Sequence, residues 1–412
     1  MRRFTRKYKM QLLPVVICLS ATAFLSSFIH LPLHIISNGM NSGWIQSENI
    51  CPQIPDYKII VSDNDGCFSY GRLSNHKLES DTLSIYFAGD LMQHETQIKS
   101  ARTSAGSYDY SSSFKYVKDE IRKADIAVGN LEVTMGGLPY TGYPAFSAPD
   151  EYLYAINEAG FDVLLTANNH CLDRGRKGLE RTVGMLDSLR IYRAGTYVDN
   201  SDRIHNYPLL VEKKGFKIVF LNFTYGTNGI KVSSPNVVNY IDKDQIKKDI
   251  LKARLMRPDV IIACVHWGVE YKTIPNKEQT DLAEWLVKMG VNHVIGSHPH
   301  VVQPITVLEK NPTPDKSFIA YSLGNYISNM SAPQTDGGLS VTIKLKKTEG
   351  KTRLIDYKYS FVWTSRPLLN KKEKFYIVPE YLDEKFLNEI EVNRRKLYVE
   401  KASKIVNLYL DE

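Results

Sequence analysis

Apolar runs and amphipathic stretches alternate along the chain from Leu83 onward. Short apolar runs bounded by turn residues predict strands, and longer stretches with a period near 3.6 residues predict helices. Strands are predicted at 83–88, 125–129, 162–166, 217–222, 259–265, 292–296 and 317–322. Helices are predicted near 114–123, 149–159, 177–190, 243–256 and 277–289. Because strands and helices alternate, the pattern predicts an α/β sheet.

The pattern changes after Asn325. Gly338–Lys346 and Arg353–Trp363 alternate with a period of two, which predicts an antiparallel hairpin that forms or extends a second sheet. Asp383–Leu410 is charged and periodic, which predicts one amphipathic helix. The end of the chain is therefore expected to be a helical extension.

The start of the chain predicts membrane attachment. Five basic residues and no acid in the first nine positions precede Met10–Ile36, which is uncharged and mostly apolar. A positive flank before about 20 apolar residues is typical of a cytoplasmic N-terminus and one helix that crosses outward. The alternative is a cleaved signal peptide with its small-residue site at Ala21–Ala23. Either way, we expect the remaining chain to work outside the cytoplasm.

Charge outside that segment argues against nucleic-acid binding. The 412 residues include 52 Lys and Arg and 45 Asp and Glu, so removing the five N-terminal positive charges leaves 47 against 45. A nearly neutral remainder lacks the basic footprint of a nucleic-acid-binding domain. The expected organisation is a basic tail (1–9), a membrane helix (10–36), a tether (37–81), an α/β domain (82–365) and a helical extension (366–412).

The cysteines predict at most one disulfide. Cys51 and Cys67 share a polar segment expected on the oxidising side of the membrane, where they either pair or remain free thiols. Cys171 adjoins His170, but neighbouring residues point apart, so the two are not a nucleophile–base pair.

Polar side chains follow the carboxyl ends of the predicted strands, where α/β proteins bind ligands. In Phe161–Gly175 an apolar strand is followed at once by two asparagines, a histidine and an aspartate. These side chains either brace the turn or form a metal or catalytic site, because burying them unpartnered would cost about 1–3 kcal/mol per group. The candidate residues at all tips are Asp90, Asn130, Glu132, Asn168, Asn169, His170, Asp173, His266, Glu270, His298, His300 and Asn325.

The spacing of residues in the sequence predicts the geometry at two of these strand ends. Asn130 and Glu132 are two residues apart on an extended segment, so their side chains are expected to face the same point. Pro299 is expected to hold His298 in an extended conformation, which makes a defined fork of His298 and His300.

The donor types predict a metal site. Carboxylates, an amide oxygen and imidazoles suit Mn²⁺, Fe²⁺ or Zn²⁺. Two divalent ions against Asp90 and Glu132 leave a charge of about +2, which suits a phosphate dianion, whereas one ion leaves the site neutral. No G-x-x-x-x-G-K-[ST] loop occurs, so ATP-driven polymerisation is not expected of this chain.

Eight motifs in order resemble the CapA-like poly-γ-glutamate capsule synthesis proteins, a family related to the calcineurin-like metallophosphoesterase superfamily. The motifs are GDLM (89–92), GNLE (129–132), YPAFSAPDEYL (143–153), AGFDVLLTANNHCLDRG (159–175), TYGTNG (224–229), HWGVEY (266–271), GSHPHVVQP (296–304) and YSLGNY (321–326). The resemblance implies a four-layer α-β-β-α sandwich of the metallophosphoesterase type with its site at the sheet tips.

The resemblance also implies roles. It places Asp90 and His300 on one ion, Asn169, His266 and His298 on the other, and His170 near the leaving group as general acid. Asp173 is expected either to orient His170 or to cap the turn. The expected substrate contacts are Asn130, Asn168, Glu270 and Asn325, with helix capping as the alternative for Glu270.

The chain departs from the superfamily pattern at the first ion. The bridging carboxylate normally follows a glycine directly, but here Asn130 holds that position and Glu132 comes two residues later. Met92 stands where the superfamily commonly has a histidine. His94 is the nearest substitute, although it is expected to be a surface residue.

Two functions fit the sequence. The first is a membrane-anchored, metal-dependent hydrolase or transferase that acts on an envelope polymer or phosphoester. The alternative is a non-catalytic export or assembly component that binds an anionic polymer through its metal site. The expected partners are that polymer or phosphoester, the membrane through a single N-terminal span, and membrane synthase subunits that supply ATP-driven activation.

Overall fold

A computed structural model describes residues 57–61, 68–72, 82–309 and 315–410. The expected membrane segment at 10–36 and both members of the expected Cys51–Cys67 pair lie outside the described residues. Within the described ranges, no helix is long and apolar enough to span a membrane.

The described elements alternate as the sequence predicts. The strands are β1 (Tyr57–Val61), β2 (Phe68–Arg72), β3 (Thr82–Leu91), β4 (Ile126–Leu131), β5 (Val163–Leu165), β6 (Tyr192–Ala194), β7 (Thr196–Tyr197), β8 (Leu209–Lys213), β9 (Phe216–Thr224), β10 (Val237–Val238), β11 (Val260–His266), β12 (His293–Ser297), β13 (Ile305–Glu309), β14 (Lys316–Ala320), β15 (Asn325–Ile327), β16 (Gly337–Thr348), β17 (Lys351–Ser365) and β18 (Tyr376–Pro379). The helices are α1 (Glu95–Ala101), α2 (Lys118–Lys123), α3 (Asp150–Ala159), α4 (Gly175–Ser188), α5 (Asn200–Asn206), α6 (Lys243–Leu255), α7 (Lys277–Lys288), α8 (Pro367–Asn370) and α9 (Glu389–Val406).

Two large sheets organise the part of the chain that follows β2, which itself pairs only with β1. The first sheet has the order β18-β17-β16-β3-β4-β5-β6, with β15 also paired to β3. The second has the order β13-β14-β12-β11-β9-β8. Strands β3 to β6 run parallel, as do β9, β11, β12 and β14. The predicted α/β class is confirmed.

The alternation of side chains along β3 shows how the layers stack. Ile85 and Phe87 belong to a core that also contains Phe220 and Ile262 of the second sheet, so the two sheets pack face to face. Tyr86 and its same-face neighbours pack instead on helices α1 to α3. Helices α6 and α7 pack against the second sheet. The central strands of each sheet are therefore buried on both faces, as their continuous apolar runs require.

The predicted antiparallel hairpin is confirmed as β16 and β17. It extends the sheet that contains β3 to β6 and does not form a separate sheet. β16 pairs antiparallel with β3, from Ser340 opposite Ala88 to Lys346 opposite Thr82. The pairing covers the edge of β3 that β4 leaves open, and an uncovered edge strand exposes unpaired backbone groups.

The C-terminal segment completes the same core. α9 begins at Glu389 with an Asn388 capping box and is flanked by short 3₁₀ turns, rather than forming one helix from 383 to 410. Its residues Tyr398, Ala402 and Val406 are buried in the core between the sheets. The segment also contributes β18, which pairs with β17.

Candidate metal centre

The candidate residues lie at the carboxyl ends of strands from both sheets. β3 ends beside Asp90, β4 beside Asn130 and Glu132, and β5 leads into Asn168, Asn169 and His170. β11 ends at His266, and β12 leads into His298 and His300. Parallel strands bring their ends to one edge of a sheet, and the face-to-face packing joins the edges of the two sheets.

A glycine positions the first carboxylate. The register between β3 and β4 shifts between Ala88 and Asp90, so that Asp90 comes opposite Asn130. A Cβ on Gly89 would lie 2.1 Å from the carbonyl oxygen of Gly324, which itself accepts a hydrogen bond from the Asp90 amide at 2.9 Å. Only glycine permits this close approach of the two loops.

Glu132 occupies the middle of the cluster. Its side chain is fully buried, and its Oε1 lies 3.5 Å from Nε2 of His266 and 3.7 Å from Nε2 of His300. The Asn130 amide donates to Oδ1 of Asp90 at 2.8 Å and lies 3.5 Å from Oε2 of Glu132. The expectation that Asn130 and Glu132 address one point agrees with this geometry.

Four buried polar atoms in the cluster have no hydrogen-bond partner. They are Oδ2 of Asp90, Oδ1 of Asn130, Oε1 of Glu132 and Nδ1 of His298. An orphaned buried polar atom costs about 1–3 kcal/mol, so four in one place call for an additional binding partner. Carboxylate oxygen, amide oxygen and imidazole nitrogen are the donors of Mn²⁺, Fe²⁺ and Zn²⁺, and these residues therefore fit divalent ions.

Three sets of side chains place one potential ligand atom each within 4.8 Å of the others. They are Glu132 with His266 and His298, Asp90 with Glu132 and His300, and Glu270 with His298 and His300. The first two sets share only Glu132, whose Oε1 faces both His266 and His300. The third set competes with each of them for a histidine. Glu270, expected as a substrate contact or helix cap, thus belongs to a set of side chains that could hold a metal ion.

The pKa values of the buried groups indicate that the cluster requires a positively charged partner. Burial, and then the charge of Asp90, raise the pKa of Glu132 well above its ordinary value. Burial lowers the pKa of His266 well below its ordinary value and that of His298 to about 3. The histidines are therefore held neutral, which is the form that binds metal, whereas ionised Glu132 requires a positive partner.

His298 is not extended, so that prediction is wrong. Its φ is +99°, and that of His300 is +59°. Both lie in the left-handed region, which costs non-glycine residues of order 1–3 kcal/mol and concentrates at functional sites. The surrounding contacts outweigh the preference imposed by Pro299, whose carbonyl accepts from the amide of Tyr271 at 2.8 Å.

Asn325 orients His300. Its Oδ1 lies 3.0 Å from Nδ1 of His300, while its amide nitrogen donates to the carbonyls of Thr335 and His300. Because those carbonyls fix the amide orientation, Nδ1 of His300 carries the proton and Nε2 is left to bind metal. Asn325 was expected to contact substrate, but its amide atoms are used in this support.

The turn after β5 uses its polar groups in two ways. Asn168 braces the turn, since its amide donates to the carbonyl of Leu131 and its Oδ1 accepts from the His170 amide. Asn169 instead points to the cluster, with Oδ1 2.8 Å from Nε2 of His266. The ring of His170 packs on Phe146, and its Nδ1 lies 2.8 Å from Oδ2 of Asp173.

Sequence reasoning gave Asn228 no role and placed His94 wrongly. Asn228, in the TYGTNG motif, accepts from the Asn169 amide at 3.2 Å and lies 3.5 Å from Nδ1 of His170. His94 is not the expected surface residue, because it is largely buried against Phe146 and accepts from the Asn329 amide. Burial lowers the pKa of His94 to about 4. The motif itself was the only available signal for Asn228.

Comparison with known proteins places the chain among capsule proteins. The family profile described as "Bacterial capsule synthesis protein PGA_cap" matches residues 84–330, more than half of the chain. The PGA biosynthesis protein CapA of Bacillus subtilis (strain 168) is 27% identical over 279 residues, which cover 65% of this chain and 69% of that protein. The capsule biosynthesis protein CapA of Bacillus anthracis is 26% identical over 293 residues, covering 68% and 67%.

Solved structures that align with this chain include phosphoesterases. A novel phosphatase from Mycoplasma pneumoniae aligns with a TM-score of 0.44 at 15% identity, covering 69% of this chain and 94% of the phosphatase. The calcineurin-like phosphoesterase YfkN of Bacillus subtilis aligns with a TM-score of 0.42 at 15% identity, covering 78% and 99%. Because the family profile matches more than half of the chain, this chain belongs to the bacterial capsule synthesis protein family PGA_cap.

Proposed function

We propose that this chain is a metal-dependent hydrolase or transferase of capsule biosynthesis that acts on a phosphoester or envelope polymer outside the cytoplasm. In this proposal its α/β domain is a metallophosphoesterase-type sandwich, and the basic and apolar N-terminal segment anchors it in the bacterial membrane. Membrane synthase subunits supply the ATP-driven activation for which the sequence has no phosphate loop.

One observation carries the proposal. Glu132 belongs to two sets of ligand atoms, one with Asp90 and His300 and the other with His266 and His298. The two sets share this carboxylate and no other residue, as expected where one carboxylate joins two ions. Asn169 lies beside His266 as an additional oxygen donor to the second set.

Some of these residues would bind metal ions, and others would transfer a proton. Divalent ions held by these sets would polarise a phosphoryl oxygen and lower the pKa of water. Asp173 accepts from Nδ1 of His170, which fixes that proton and leaves Nε2 as the atom that exchanges a proton with the leaving group. Phe146 and the buried position of His170 exclude bulk water from this exchange.

Metal content and turnover test the proposal together. The full chain, purified in detergent, is expected to bind close to two Mn²⁺ or Zn²⁺ ions and to cleave a generic phosphodiester. His170→Ala is expected to retain the metal and to lose about 10²–10⁴-fold in turnover, the usual contribution of a general acid. The matched control is His205→Ala, because His205 is exposed and bonds only to the carbonyl of Ser201.

The alternative function gives a different result. A non-catalytic assembly component would bind metal and anionic polymer tightly but would cleave neither a phosphodiester nor a γ-glutamyl amide. A chain that binds no divalent ion, and whose Tm does not change when manganese or zinc is added, would exclude both functions. The proton path from His170 to Asp173 favours the enzyme, because a binding role does not require it.

A further inference from the structure

Two exposed tyrosines pack on histidines of the metal-ligand cluster, and a third lies on a neighbour of His170. The ring of Tyr225 lies on that of His298, with centroids 4.5 Å apart. Tyr271 lies 6.5 Å from the ring of His300. Tyr143 packs 6.3 Å from Phe146, which is in turn 4.7 Å from His170. His298 and His300 are candidate metal ligands, and Phe146 packs directly on His170, the proposed general acid.

These rings face solvent instead of filling the core. Tyr143 is 75% exposed, and Tyr225 and Tyr271 are each 46% exposed. Exposed single aromatic side chains are common and need no explanation, but these three place ring faces beside one polar cluster. We name Tyr143, Tyr225 and Tyr271 the tyrosine rim.

The backbone fixes two members of the rim in place. The Tyr225 amide donates to the carbonyl of His266 at 2.9 Å. Tyr271 has a φ of +66° and donates from its amide to the carbonyl of Pro299 at 2.8 Å. A bulky residue in the left-handed region costs free energy, and such strain persists where the surroundings hold it for a function.

An acidic side chain lies beside the rim. Glu270 belongs with His298 and His300 to one set of potential ligand atoms, and Tyr225 and Tyr271 pack on those two histidines. A flexible polyanion is normally held by a track of Lys and Arg, whereas a ring with an apolar face stacks on aromatic side chains.

We propose that the tyrosine rim is a stacking subsite for a phosphoester whose alcohol part contains a ring, either a sugar ring or the base of a nucleoside. This inference rests on the proposed function, since the phosphoryl group would sit on the metal ligands below the rim. It narrows the substrate from any envelope polymer to a ring-bearing phosphoester. Tyrosine suits this task because it offers a large flat surface and loses little conformational entropy on binding.

Matched phosphonates test the subsite without turnover. Binding to the full chain, loaded with Mn²⁺ in detergent, is measured by calorimetry for methylphosphonate and phenylphosphonate, which share the anionic group and differ in the ring. Phenylphosphonate is expected to bind about tenfold more tightly, as one stacked ring allows. Tyr225→Leu and Tyr271→Leu are expected to remove most of that preference and to leave methylphosphonate affinity within about twofold.

Two controls separate stacking from structure. Tyr225→Phe and Tyr271→Phe keep the ring and are expected to keep the preference. Tyr192→Leu removes a tyrosine of similar exposure (47%) on β6, at the far edge of the first sheet, and is expected to change nothing. Equal binding of the two phosphonates to the wild type would overturn the inference, as would Leu variants that lose both ligands equally.

Natural ligands then distinguish the source of the ring. Tighter binding of glucose 1-phosphate or adenosine 5′-monophosphate than of methyl phosphate supports the subsite and identifies the ring as sugar or base. If γ-glutamylglutamate binds through the tyrosine rim and the two ring-bearing phosphoesters do not, the inference is overturned. Loss of metal binding would contradict the proposed function itself, whereas metal and phosphate binding without ring preference would reject only the subsite.

Discussion

Nδ1 of His170 lies 2.8 Å from Oδ2 of Asp173, and the same oxygen accepts the backbone amide of Phe146 at 2.8 Å. The carboxylate therefore joins the histidine to the segment that packs on its ring. The sequence left two roles for Asp173, orienting His170 or capping the turn, and the geometry supports the first. Since the proton resides on Nδ1, any exchange with a substrate occurs at Nε2.

Asp173→Asn is expected to reduce phosphodiester turnover by on the order of 10²-fold, because the neutral amide no longer stabilises a protonated His170. Metal content should stay at the wild-type level, since Asp173 belongs to none of the ligand sets. Asp281→Asn on α7, where the exposed carboxylate bonds only to Lys277, is the matched control. Unchanged turnover in Asp173→Asn would contradict the assigned proton path.

Glu132→Gln is expected to weaken Mn²⁺ binding by more than about a hundredfold, because both ions lose a shared ligand. The metal-free variant should nonetheless melt at or above the wild-type temperature at neutral pH. Burial raises the pKa of Glu132, so its contribution to stability is lost as the pH rises above its ordinary value of 4.5.

Equilibrium dialysis and a thermal melt, each with and without Mn²⁺, measure the two effects. Glu212→Gln, at an exposed position on β8, provides the control. A metal-free variant that melts well below the wild type would show that Glu132 stabilises the fold and is not reserved for a cation.

Asn228→Ala is expected to weaken Mn²⁺ binding by about 10–100-fold, the usual cost of removing a residue that orients a metal ligand. Asn228 accepts from the amide of Asn169 and so keeps the other amide atom, Oδ1, directed at His266. Asn206→Ala removes an exposed amide with a single side-chain partner and should leave metal affinity unchanged. Equal Mn²⁺ affinities in Asn228→Ala and Asn206→Ala would show that Asn228 does not contribute to the metal site.

The stability of the protein should fall in mild acid partly because of His94. Its pKa in the fold is lowered from 6.5 to about 4, so its contribution is fully present above pH 6.5 and is lost as the pH falls toward 4. The loss is at most about 3 kcal/mol in the free energy of unfolding.

Chemical denaturation at several pH values measures this dependence. His94→Gln retains an acceptor near the Asn329 amide and should show a shallower decline between pH 6.5 and 4. His205→Gln should decline as the wild type does. Parallel curves for His94→Gln and the wild type would refute the assignment.

The sequence predicted the long strands because each one is buried on both faces and reads as a continuous apolar run. All seven predicted strands are present, within a few residues at each end. Strands β6, β7, β10 and β15 have only two or three residues each, too few to show a period. β5 is as short, but its three residues are all apolar and a polar turn follows at once, so it was predicted. The short β18 is recognisable only through its pairing with β17.

The candidate site was predictable in its membership but not in its internal geometry. Strand-tip composition identified Asp90, Glu132 and the histidines, because few cores need such side chains there. The left-handed backbone of His298 and the approach of Glu270 depend on contacts between the two sheets, which a linear pattern does not contain. His94 was misplaced for the same reason, since Phe146, which covers it, lies 52 positions later in the chain.

The family match and the folding unit end at different places. The family match stops at residue 330, yet β3, the strand that presents Asp90, is bordered by β16, and that sheet continues to β18 at Pro379. A fragment cut at residue 330 would leave the edge of β3 unpaired from Thr82 to Ala88. Because an unpaired edge strand promotes aggregation, a shortened form of this domain should extend at least through Pro379.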